Sequence, residues 1–145
     1  MWTITALPRP DLFLLDLGSN TGEANNLLDD TTSRLQNKKD EPIRCRTCLA
    51  PLTAKDQAIS KQGRHEHVFF NPSGITFELR CFQDALGCLV KGKPTGEFSW
   101  FSGYLWQYAL CMNCRTHIGW FFSANYESAG ANVETFFALI TPHLL

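Results

Sequence analysis

From His65 onward, apolar and polar positions alternate in short runs divided by turn-forming residues. In residues 75–82 (ITFELRCF), Ile75, Phe77, Leu79 and Cys81 fall on one face, and Thr76, Glu78 and Arg80 on the other. That period of two is the signature of a half-buried strand. The preceding run HVFF stops at Asn71-Pro72-Ser73-Gly74, where Asn at the first, Pro at the second and Gly at the fourth position suit a type I turn. The two runs predict a hairpin. Further apolar runs (ALGCLV, LWQYALC, HIGWFFSA), separated by Gly, Pro and Asn, predict more strands. The run VETFFALITPHLL, residues 133–145, predicts a short C-terminal helix stopped by Pro142.

The N-terminal part is different. Residues 18–42 (GSNTGEANNLLDDTTSRLQNKKDEP) are polar and have little to bury, which predicts a linker or loose extension. We therefore divide the chain into an N-terminal extension, residues 1–42, at least partly flexible, and a β domain, residues 43–145. The length of 145 residues fits one domain, and a net charge of -1 carries no electrostatic footprint for nucleic acid. The apolar run at residues 12–15 is bracketed by Asp11 and Asp16, which argues against a secretory signal. No stretch approaches the roughly 20 apolar residues that span a bilayer. The expectation is a soluble, cytoplasmic protein with no membrane partner, whose thiols stay reduced.

Composition changes this picture through 6 cysteines and 4 tryptophans. Cys45-x-x-Cys48 and Cys111-x-x-Cys114 each place two sulfurs on one tight turn, so that two such knuckles can surround one ion tetrahedrally. The ion expected is one structural Zn2+, since four sulfur ligands leave no position for water. Arg44, Arg46 and Arg115 beside the knuckles either offset the charge of the site or are solvated surface groups. Cys81 and Cys88 are most simply small buried hydrophobes. His65, His67 and His117 are read as structural or surface histidines, because the thiolates already complete the shell. Gly87 to Lys93 begins like a phosphate loop, but Pro94 stands where Ser or Thr is required and no helix follows.

Aromatic residues crowd the stretch between Glu97 and Phe122, with Trp100, Trp106 and Trp120 among Phe98, Phe101, Tyr104, Phe121 and Phe122. Buried indoles need partners for their N–H groups, so this set makes either core or the walls of a pocket. In order, CxxC, FNPSGITF, EFSWFSGYLW and CxxC followed by HIGWFF resemble the thalidomide-binding (CULT) domain family of cereblon, over residues 44–139. The resemblance implies a mainly β fold of two antiparallel sheets packed across each other, a β-tent pinned by one zinc on four cysteines. It also implies a three-tryptophan cage, Trp100, Trp106 and Trp120, that receives a cyclic imide. Asn71 and Pro72 match the turn over that cage, Phe98 the residue whose backbone bonds the imide, and Phe122 an aromatic wall; Phe77 is expected to line the site. Phe98 replaces the His of animal cereblon. Backbone groups around Phe98, Ser99 and Trp100, with the indole N–H of Trp106, are expected to meet the polar edge of the ring.

The function implied is a binding module for a small neutral cyclic imide or a uracil-like ring, with a modified peptide end as another possible partner and no catalysis. A ubiquitin-ligase docking domain is not expected within this length. Two alternatives remain open at this level: a cage for a methylated cation with Glu97 as counter-charge, and a methionine-sulfoxide-reductase-like enzyme using Cys81 or Cys88.

Overall fold

A computed structural model of the chain describes residues 41–125 and 133–145. The extension proposed for residues 1–42 therefore lies outside the described residues except for its last two positions, and Trp2 lies outside them. Among the described residues eight strands follow in order: β1 (Pro42–Arg44), β2 (Pro51–Ala54), β3 (Glu66–Phe70), β4 (Thr76–Phe82), β5 (Cys88–Thr95), β6 (Tyr104–Cys111), β7 (His117–Ala124) and β8 (Thr135–Ile140). Single turns of 3-10 helix occupy Lys55–Gln57 and Thr141–His143. Among the described residues no helix is long and apolar enough to cross a membrane.

The strands form two antiparallel sheets of unequal size, β1-β2 and β3-β4-β8-β7-β6-β5. The expected hairpin is β3–β4, closed by a turn in which the Gly74 N–H donates to the Asn71 carbonyl at 2.9 Å. Gly74 takes φ 81, a value an L side chain rarely adopts.

The C-terminal helix is not formed. Residues 135–140 are instead β8, held between β4 and β7, and only the last turn, Thr141–His143, is helical. Both faces of β8 are covered. Phe136, Ala138 and Ile140 enter one core cluster, and Phe137 and Leu139 the other. A strand buried on both faces loses its period-2 pattern and reads as a continuous apolar run, which periodicity alone cannot distinguish from a helix. Thr, Phe and Ile suit the pleated backbone better.

The two clusters lie on opposite faces of the large sheet. On one face Ile43 and Leu52 of the small sheet pack with Phe82, Ala109, Ile118, Phe137 and Leu139. On the other, Phe101, Trp120, Phe122 and Phe136 gather with Leu79 and Cys81. Gly119 makes the close approach of β7 and β8 possible, because a Cβ there would meet the Ala138 carbonyl oxygen at 2.2 Å.

Candidate functional site

The two cysteine pairs sit on matching turns. The Leu49 N–H donates to the Cys45 carbonyl at 2.8 Å, and the Arg115 N–H to that of Cys111 at 2.9 Å. Cys45 N–H then reaches the Ala50 carbonyl at 2.9 Å, as Cys111 N–H reaches that of Thr116 at 2.8 Å. Leu49 and Arg115 both adopt φ 64, a left-handed conformation costly for residues with a Cβ and held only where the surroundings fix it. The turns bring all four sulfurs within 4.8 Å of one another, with Cys45–Cys114 at 3.7 Å and Cys48–Cys111 at 3.5 Å. Tetrahedral ligands about 2.3 Å from a zinc ion would stand roughly 3.8 Å apart, so the set is dimensioned for such an ion. The four cysteines are thus grouped so that they could hold a metal ion.

The thiols respond to their surroundings unequally. Asn113 lowers the pKa of Cys48, Thr116 lowers that of Cys114, and burial raises that of Cys111. A cation is what would make ionisation of the buried members favourable. The flanking arginines bond main chain: Arg44 Nη1 donates to the Leu49 carbonyl and Arg46 Nη2 to that of Leu144. Cys88 lies opposite Cys111 across β5 and β6 but outside the tetrad. His65 and His67 bond the carbonyls of Ile59 and Arg64 and pack on Phe82 and Phe69, which is a structural role.

On the opposite face of the large sheet lies a cleft of 420 Å³. Trp106 and Phe122 are partners across β6 and β7, and so are Tyr108 and Trp120. Positions two apart on neighbouring strands share a face, which is how the sequence sets these rings side by side. Trp100 and Phe98 come from the loop between β5 and β6, Phe77 from β4, and Asn71 and Pro72 from the β3–β4 turn; all line the same cleft. Trp100 and Trp120 meet edge to face at 4.8 Å, and Phe77 abuts both.

Two of the three indoles are fixed through their N–H groups. Trp100 Nε1 donates to the Phe70 carbonyl at 2.8 Å and Trp106 Nε1 to that of Glu97 at 2.7 Å. The Trp106 N–H is thus committed to the loop rather than held ready for a ring edge. The loop is anchored by Phe101, 1% exposed and packed against Phe122 and Phe136. Phe98 has φ 56 and a side chain 73% exposed at the rim. Ser99 does not line the cleft: its N–H goes to Gly96, its hydroxyl to Phe101, and its side chain borders a separate groove. Among the described residues, no hydrogen bond takes the Phe98 carbonyl or the Trp100 N–H.

Two lining residues were missed from sequence, Tyr108 and His117. Tyr108 continues the alternation Tyr104, Trp106, Tyr108 along β6, a signal that was available. His117 was not legible, because a residue three before Trp120 belongs to the other face of a regular strand. The pairing passes from Ala109↔Gly119 to Leu110↔His117, leaving Ile118 as the extra residue of a bulge. Bulges redirect side chains in this way.

Cys81 and Cys88 are absent from the cleft lining, and burial pushes their thiols up to about 11 and about 12. Glu97 does not line it either.

A cysteine tetrad that could hold a metal ion on one face of a β-sheet and an aromatic cleft on the other define the class as a small β domain with a candidate metal site and a candidate ligand cleft. Comparison with known proteins makes the class specific. The chain is 36% identical over 124 residues to protein cereblon of Drosophila simulans, matching 78% of this chain and 20% of that protein. It is 38% identical over 109 residues to protein cereblon of Drosophila willistoni, with 68% of this chain and 17% of that protein covered. Protein cereblon of Drosophila melanogaster gives 36% over 124 residues, with 78% and 20% covered. No protein-family model matches. The chain belongs to the cereblon-like (CULT) domain family. It spans about a fifth of the length of the curated relatives it matches.

Proposed function

We propose that the domain is a binding module that holds a small neutral ring, a cyclic imide or a uracil-like pyrimidine, between Trp100, Trp106 and Trp120, and that one zinc on Cys45, Cys48, Cys111 and Cys114 holds the fold. The observation that carries this reading is the cleft itself. Three indoles, two of them fixed by hydrogen bonds, surround a space beside a loop whose carbonyl at Phe98 and N–H at Trp100 are uncommitted. An imide ring has an apolar body and an edge with one N–H and two carbonyls. The indoles suit the body, and the loop offers that edge an acceptor and a donor, as a buried polar group requires.

The lining favours a neutral ligand over a methylated cation: among the described residues it contains no carboxylate, and Glu97 is outside it. Binding is favoured over sulfoxide reduction because Cys81 and Cys88 are buried, lie outside the cleft and are poor thiolates. The test is competition followed by tryptophan fluorescence, with glutarimide against tetramethylammonium. Quenching by glutarimide alone is the expected result, and quenching by the cation alone removes the proposal. A modified peptide end presenting the same ring would occupy the same place.

A further inference from the structure

The cleft is larger than a bare ring needs. A cavity of roughly 150 Å³ holds a six-membered ring, whereas this one measures 420 Å³. Its aromatic wall is also longer than three tryptophans. Trp100, Trp120, His117, Tyr108 and Trp106 form a continuous arc, with successive ring centroids 4.8, 4.7, 5.4 and 5.3 Å apart and every contact edge to face. The bulge at Ile118 is what turns His117 into this arc.

His117 and Tyr108 bring polar atoms that the cage lacks. The Gly119 carbonyl can only accept, so the His117 Nε2 that meets it at 2.9 Å carries the proton. Burial, its largest influence, lowers the His117 pKa, which favours the neutral ring, with Nδ1 an unprotonated acceptor. Nothing among the described residues bonds Nδ1, and nothing bonds the Tyr108 hydroxyl.

From the cavity and the ring geometry we infer that Tyr108 and His117 form a second subsite of the cleft, which selects rings bearing a neutral substituent with a hydrogen-bond donor. This deepens the ring-binding reading and rests on it. The donor meets His117 Nδ1, the Tyr108 hydroxyl meets an acceptor on the same substituent, and the aromatic edges enclose its plane. A substituent of equal size without a donor leaves the imidazole nitrogen desolvated and unpaired, so it binds more weakly.

The test is titration calorimetry on the zinc-loaded full chain with glutarimide, 3-ureidoglutarimide, which carries donors, and 3-acetoxyglutarimide, which carries only acceptors. The ureido ligand is expected to bind about three- to tenfold more tightly than the acetoxy ligand. That ratio should fall towards one in His117→Phe, whereas Tyr108→Phe, which removes a hydroxyl that meets an acceptor both substituents carry, should weaken both ligands and leave the ratio nearly unchanged. A ratio near one in the parent chain overturns the subsite without need of any variant, and so does a ratio that survives His117→Phe. If the bare ring binds in either case, the ring-binding reading stands while the subsite falls. If none of the three binds, both fall.

Discussion

Phe98 shows how one residue can matter through its backbone more than its side chain. An aromatic residue at φ 56 is strained, by roughly 1–2 kcal/mol, and its ring is largely in solvent. What the conformation secures is the direction of the carbonyl beside the cage. A β-branched residue tolerates that backbone worst and glycine best. Phe98→Val should therefore weaken glutarimide binding more than Phe98→Gly does, as measured by calorimetry. The reverse order would mean that the side chain, and not the loop shape, serves the ligand.

Cys81 carries a different residue-scale consequence. Burial raises its pKa from an ordinary 9.0 to about 11 in the folded chain. A thiol raised above its unfolded value contributes stability that is complete below about pH 9 and lost as pH climbs through about 11, because the unfolded chain ionises first. Melting temperature should therefore fall more steeply across that window in the parent than in Cys81→Ala. Parallel pH profiles would show that Cys81 makes no such contribution. The same burial leaves the thiol, predicted from sequence to face the core, a poor nucleophile.

At the scale of elements, the knuckles were legible because metal geometry fixes spacing: two sulfurs separated by two residues on each of two turns announce themselves without any fold. The β3–β4 hairpin was legible from alternation and turn chemistry. β8 was not, since a strand covered on both faces shows neither alternation nor, in so short a run, a period of 3.6. His117 was hidden by the one-residue bulge at Ile118, which no local pattern in HIGWFF signals. The knuckles also join distant elements, Cys45 just after β1 and Cys111 at the end of β6. Ser at Cys45 or Cys111 should abolish stoichiometric zinc and the cooperative melt followed by circular dichroism. A variant that melts cooperatively in excess chelator would refute a structural role for the metal.

For the whole molecule, division of labour follows from the two faces of one sheet. The cysteine tetrad and the small sheet belong to one cluster, the aromatic cleft and its loop to the other, and β8 belongs to both. Such an arrangement keeps the four cysteines apart from the cleft, so a substitution in the cleft need not disturb them. Membership of the CULT family was legible from the order of motifs; the two additional lining residues of the cleft, Tyr108 and His117, depended on strand register. The proposed binding of a neutral cyclic imide between Trp100, Trp106 and Trp120 underlies every other functional expectation for this chain. It is tested most directly by calorimetric titration of glutarimide into the zinc-loaded chain and into Trp106→Ala. One site of micromolar affinity is expected, about -8 kcal/mol, lost in Trp106→Ala while zinc content and cooperative melting persist. Absence of saturable binding to the folded parent chain, or equal affinity in the variant, would contradict it.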